Sequence, residues 1–304
     1  MTLLELNENF GLPGVLQFDE HDGLARAQVT LPSAAATVYL HGAHLTHWQP
    51  TGQPAALFLS PASDFASGKP IRGGIPVCFP WFGPRKDGKP GPSHGFARLQ
   101  DWELAFAALV PGQPGAGSGE ALHLTFTLAP SDLSLSLGFD HFRVAYEMIF
   151  AGKVLTLRFS VANLGSQPLV FEEALHTYFA VADVHHCSIT GLESARFIDK
   201  TDGFKEKTGP AGPLRLTGQT DRVYPGHPGT AVIDDPGLAR TFTIAKTNSA
   251  TTVVWNPWDE VKFPDLPPDA WPGFLCVESA NAGLDTLTLD PKGAHTLETI
   301  ITLA

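Results

Sequence analysis

Ala121–Leu128 reads ALHLTFTL and Val154–Asn163 reads VLTLRFSVAN. In the first stretch, Leu122, Leu124, Phe126 and Leu128 alternate with His123, Thr125 and Thr127. In the second, Leu155, Leu157, Phe159 and Val161 alternate with Thr156, Arg158 and Ser160. A period of two sends alternate side chains to opposite faces of an extended chain, so both read as half-buried antiparallel strands. Phe142–Phe150, the turn Ala151-Gly152-Lys153 and Val154–Asn163 read as one long hairpin. Leu133–Leu137, LSLSL, carries the same alternation and reads as a further strand. Working outward, strands are expected at Leu24–Thr30, Ala36–Leu40, Trp102–Leu109, Ala239–Ala245, Thr252–Asn256, Phe274–Glu278, Asp285–Leu289 and Thr296–Leu303. No stretch keeps a helical apolar stripe without a Gly or Pro, so helix is expected to be scarce. About fifteen strands without helical crossovers imply an all-β, large antiparallel sandwich. Pro111–Gly119 reads as a hairpin loop between similar strands, and Pro264–Pro272 as a Pro-dense loop before the Phe274 strand.

Composition agrees. The chain has 304 residues with 30 Gly and 26 Pro, while only 17% are charged and 43% are hydrophobic. That excludes a coiled coil and a disordered chain, because so much apolar surface can offset the entropy of ordering. The net charge of −11 argues against nucleic acid or an anionic membrane as partner. A small anion needing only a few local cations stays possible. Cys78, Cys187 and Cys276 are far apart and odd in number, so buried reduced thiols are expected. The N-terminus lacks the pattern of a signal peptide and no apolar run is long enough to span a bilayer, so a cytoplasmic protein is expected.

Residues that could carry chemistry are few. His41, His44 and His47 lie on strand and turn rather than one helical face, and read as scattered surface or turn histidines, not a metal site. His185 and His186 read as a structural pair on opposite faces of a strand. The densest unusual segment is 70–98, PIRGGIPVCFPWFGPRKDGKPGPSHGFAR. Arg72 there stands beside two glycines, and Ser93, His94 and Arg98 close it. Pro, Gly, Trp and Phe around several cations suggest a compact, partly buried loop, and a buried guanidinium needs an anion. His176 is a polar residue within the apolar stretch ALHTYF, and Glu278 ends the apolar strand FLCVE. Either could be a strand-end residue reaching solvent, and Asp221 could be a turn residue.

Arg-Gly-Gly-Ile-Pro, Phe-Pro-Trp-Phe-Gly, His-Gly-Phe-Ala-Arg, Leu-His-Thr-Tyr-Phe, Asp-Arg-Val-Tyr and Cys-Val-Glu occur in that order. The ordered set resembles the glucose-6-phosphate 1-epimerase (hexose-6-phosphate mutarotase) branch of the aldose 1-epimerase family, from about Ala36 to the C-terminus. The resemblance implies a galactose mutarotase-like sandwich, with residues 1–304 as a single catalytic domain. It also implies a monomer that needs no cofactor or metal and takes a small hexose phosphate. It makes His176 the general acid and Glu278 the general base. Arg72 and Arg98 would hold the phosphate, and His94 and Asp221 the sugar. Ser93 stands where many relatives carry Gln, and is counted with the substrate-binding set. The loop Arg85–Lys89 could add cations, although no matched motif supports it.

Mutarotation passes through the open-chain aldehyde, so one group must deprotonate O1 while another protonates the ring oxygen. An ionised Glu278 and a protonated His176 on opposite sides of the ring would suit those roles. Two alternatives stand beside this reading. One is an aldose 1-epimerase acting on unphosphorylated hexose; the other is a sugar-phosphate-binding protein without catalysis.

Overall fold

The computed structural model describes residues 1–112 and 119–304. Its centre is two eight-stranded antiparallel sheets packed face to face. The first runs, in spatial order, Ser188–Thr190, Ala231–Asp235, Arg240–Thr247, Ala294–Leu303, Val154–Asn163, Phe142–Ala151, Glu120–Leu128 and Glu103–Pro111. The second runs Lys205–Thr208, Arg196–Asp199, Thr220–Tyr224, Thr251–Asn256, Phe274–Asn281, Glu173–Leu175 and Val77–Cys78, with Tyr178–Ala180 also paired to Phe274–Asn281. A four-stranded meander, Leu16–Pro50, flanks them, and a short pair joins Leu169–Phe171 to Leu287–Leu289.

The alternation that defined the strands also builds the core. Leu122, Leu124, Phe126, Leu155, Leu157 and Phe159 from the first sheet meet Leu275, Val277 and Val254 from the second in one buried cluster. Aromatic rings cross the gap, with Phe179 and Phe242 centroids 4.9 Å apart and Phe79 and Phe159 5.9 Å apart. The expected hairpin is present, with Phe142 opposite Asn163 and Ala151 opposite Val154. Glu103–Pro111 and Glu120–Leu128 pair as the flanks of the expected Pro111–Gly119 loop, of which residues 113–118 lie outside the described residues.

Two local expectations are corrected. Leu133–Leu137 is not a strand; Asp132–Ser136 is a short helix. Ser131 caps it by accepting from the Ser134 amide, and the Ser134 hydroxyl accepts from the Ser131 amide in return. Ser134, not the leucines, is its buried residue, so the alternation never faced a sheet. A second helix, Leu3–Phe10, begins on a capping box of Thr2 and Glu5 and buries Leu6. His185 and His186 sit in a turn after Asp183, not on a strand. No helix is long and apolar enough to cross a membrane among the described residues.

Candidate active site

The second sheet has two faces, and the site uses the one turned away from the core. Along Phe274–Asn281, Leu275 and Val277 enter the inter-sheet core, whereas Cys276 and Glu278 point the other way. The same parity puts Val253 and Trp255 of the next strand, and Asp221 of the strand beyond, on that outer face. Register makes them neighbours: Val253 is opposite Glu278, and Asp221 is opposite Trp255. Glu278 lies within the strand rather than at its end and is 1% exposed. Asp221 belongs to the strand Thr220–Tyr224 rather than a turn.

His176 falls in the break between Glu173–Leu175 and Tyr178–Ala180, two short strands that both pair with Phe274–Asn281. Its amide donates to the Pro76 carbonyl at 3.0 Å. The ring stacks on Tyr178, with centroids 4.9 Å apart, and its Nε2 lies 3.4 Å from Glu278 Oε1. The two groups are therefore side by side, not on opposite sides of a sugar ring. His176 Nδ1 and both Glu278 oxygens are buried without a hydrogen-bond partner. Buried polar atoms are seldom left so, and here they face a cleft.

Segment 70–98 supplies the opposite wall. Gly73 has φ +106°, and a Cβ there would lie 2.4 Å from the Phe58 carbonyl oxygen, so only glycine lets Arg72 approach this closely. His44 donates from Nε2–H to the Gly73 carbonyl at 2.7 Å. His41 and His44 are thus buried bracing residues, not surface or turn ones. Burial lowers the His44 pKa to about 3, which keeps it neutral and makes Nε2–H the donor. At the other end, His94 adopts φ +63° and Gly95 φ +76°. A left-handed histidine is costly and tends to mark a functional turn.

All seven residues singled out from sequence line one cleft of about 340 Å³: Arg72, Ser93, His94, Arg98, His176, Asp221 and Glu278. Sequence reasoning missed Lys200, whose Nζ pairs with Asp221 at 2.9 Å and lies over the Phe82 ring. It also missed Asp265, which pairs with Arg72 Nε at 3.1 Å, and Tyr178, whose hydroxyl accepts from Arg72 at 3.2 Å. The Arg85–Lys89 cations turn elsewhere: Arg85 pairs with Asp87, and Lys86 with Glu172. Arg98 differs from the other cleft cations. Its Nη2 donates to the Ser93 carbonyl at 2.9 Å, its Nε is buried without a partner, and it forms no carboxylate pair among the described residues.

Burial sets the charge states. It raises the Glu278 carboxyl well above its ordinary value; Asp221 adds to this, while Lys200 and Arg98 oppose it. It lowers the His176 imidazole well below its ordinary value, and Arg98 and Arg72 push the same way. Burial also raises Asp221, against the pull of Lys200. For Arg72, burial disfavours the charge, but Tyr178 and Asp265 outweigh it and hold the pKa above the usual range. All three cysteines are free and buried.

Comparison with known proteins gives one consistent result. The model of the family described as aldose 1-epimerase matches residues 28–302. A protein of Escherichia coli (strain K12) named "Putative glucose-6-phosphate 1-epimerase" is 34% identical over 299 residues, covering 94% of this chain and 93% of its own. A Salmonella typhimurium protein of the same name is 31% identical over 303 residues, covering 97% and 98%. The crystal structure of "a putative mutarotase (YeaD) from Salmonella typhimurium" superimposes with a TM-score of 0.85 at 30% identity, over 97% of this chain and 95% of that one.

Proposed function

This chain belongs to the aldose 1-epimerase family and is an isomerase, and from that premise we propose that it interconverts the α and β anomers of glucose 6-phosphate. One observation carries the reading: a buried imidazole and a buried carboxyl, 3.4 Å apart, share a cleft with two guanidiniums.

The reaction runs in five steps. In the substrate complex the proton of the pair passes from Glu278 to His176; the Glu278 carboxylate then takes the proton from O1 as His176 gives its proton to the ring oxygen, and the C1–O5 bond breaks to the aldehyde. Half a turn about C1–C2 presents the other carbonyl face. The O5 hydroxyl then adds to C1, returning its proton to His176. Glu278 gives its proton to the new O1, and the pair is restored. Arg72 and Arg98 grip the phosphate through their paired N–H groups, while His94, Ser93 and Asp221 hold the sugar.

The phosphate has a second effect. Arg98 and Arg72 are the charges that most oppose protonation of His176 after burial itself. A bound phosphate dianion neutralises them, so the acid gains its proton more readily when a phosphosugar is in place. Exchange NMR of glucose 6-phosphate anomers, with free glucose and galactose as controls, tests the proposal. Acceleration confined to the phosphosugar supports it. Equal acceleration of all three sugars points to an unphosphorylated hexose, and tight binding without acceleration points to a binding protein.

A further inference from the structure

Two donors converge on one nitrogen of His94. Cys78 Sγ lies 3.3 Å from Nδ1, and the Gly83 amide donates to the same atom at 3.3 Å. We propose that Cys78 is a positioning residue: its thiol, with the Gly83 amide, fixes His94 as the neutral tautomer bearing hydrogen on Nε2, the nitrogen left to donate to the sugar.

A nitrogen that carries hydrogen can accept neither bond, so the opposite tautomer and the imidazolium lose the Gly83 bond outright and exchange the thiol's donation for a weaker N–H to sulfur contact. The thiol is suited to donate. It is fully buried on the strand Val77–Cys78, and burial holds it in the protonated form. Burial and the nearby Arg98 also disfavour a charged His94. The ring cannot easily turn away. The His94 amide donates to the Gly83 carbonyl at 2.7 Å, closing a loop between the two residues. Phe82 packs edge-on against the imidazole, with centroids 4.9 Å apart, and its own amide is held by Glu172 Oε2 at 2.9 Å. Such outer contacts settle which nitrogen of a histidine is protonated. The inference rests on the proposed function only in naming a sugar as recipient.

Imidazole ¹⁵N NMR of the labelled full-length chain reads the tautomer directly. His94 in the wild type should show an unprotonated Nδ1 and a protonated Nε2 at neutral pH. Cys78→Ala should admit the other tautomer or the imidazolium and raise KM for glucose 6-phosphate about 3- to 10-fold, the cost of one hydrogen bond, with kcat little changed. Cys78→Ser keeps a donor and should restore both signatures. A wild-type proton on Nδ1 overturns the proposal, and that measurement needs no variant to fold. Wild-type tautomer and KM in Cys78→Ala also overturn it, as do equal losses in the Ala and Ser variants. If the tautomer shifts as expected but no sugar is turned over by any form, the proposed reaction fails and the role of Cys78 stands.

Discussion

Replacing Glu278 or His176 singly should tilt the pH dependence of stability in opposite directions. The Glu278 carboxyl is raised from 4.5 by burial and Asp221, and the His176 imidazole is lowered from 6.5 by burial, Arg98 and Arg72. The main causes of each shift lie outside the pair, so each survives loss of the neighbour. Between pH 4.5 and 6.5 the unfolded chain binds one proton at these two residues, on the imidazole. In the folded pair the raised carboxyl gains proton and the lowered imidazole loses it, so the two contributions to the wild-type slope oppose each other. In Glu278→Gln the folded site binds less proton than the unfolded chain. His176, a depressed group, then stabilises fully above 6.5 and less as pH falls, so stability should rise with pH toward 6.5, by at most about 1.4 kcal/mol per unit. In His176→Asn the folded carboxyl keeps a proton that the unfolded one has lost. Glu278, a raised group, stabilises fully below 4.5, and stability should fall by about the same slope above it. Across this window the two variants should diverge from the wild type with opposite signs, each by at most about 1.4 kcal/mol per pH unit, the limit for one proton. Urea denaturation at half-unit pH steps measures it. Curves parallel to the wild type would refute the reasoning. The same Glu278→Gln protein should lose about 10²–10⁴-fold in anomer exchange, equivalent to about 2.7–5.5 kcal/mol of barrier.

Four further outcomes are expected. Arg98→Met should raise KM for glucose 6-phosphate by about 10- to 100-fold, whereas Asp265→Asn, which frees Arg72, should lower it; steady-state rates on phosphosugar and free glucose check both, and equal effects on the two sugars would contradict a phosphate role. Gly95→Ala would put a Cβ 2.0 Å from the Phe79 carbonyl oxygen in a left-handed turn, so it should displace His94, reduce turnover and destabilise the fold by at least about 1–3 kcal/mol in denaturant melts. Inorganic phosphate added with free glucose should speed its anomer exchange by reoccupying the arginines, and phosphate that only inhibits would show that it does not help charge His176.

Sequence made the strands legible because one face of each is buried, and burial imposes period two on the residues themselves. It failed at Leu133–Leu137, where capping serines, not the leucine pattern, decide the local structure. The cleft was partly legible for a related reason. His176 and Glu278 interrupt apolar runs, and a polar group in an apolar run is unusual in itself. Lys200 gave no such signal: Asp199-Lys200-Thr201-Asp202 is a polar turn, and only the pairing of Thr220–Tyr224 with Arg196–Asp199 brings it to the cleft. Asp265 was hidden in the same way, since its contact with Arg72 spans 193 positions of chain. The errors at His41 and His44, and the turning of the Arg85–Lys89 cations to other partners, share a cause. Residue type indicates that a charge or imidazole needs a partner, but long-range packing decides which partner it meets.

The carboxylates beside the cleft cations also explain how a protein of net charge −11 could hold an anion. Three bare cations packed around a dry floor would repel one another and would move when empty. Asp265 holds Arg72 and Asp221 holds Lys200, so two of the three are fixed before any ligand arrives, and the local excess is about one positive charge, on Arg98. Attraction at long range is therefore weak, and the protein's overall field opposes it. In the proposed reaction, specificity must come instead from contact. A phosphate that reaches Arg98 satisfies its buried, unpartnered Nε, and it lifts the repulsion that adds to burial in keeping His176 neutral. A free sugar does neither, so the discrimination belongs in kcat as well as in KM.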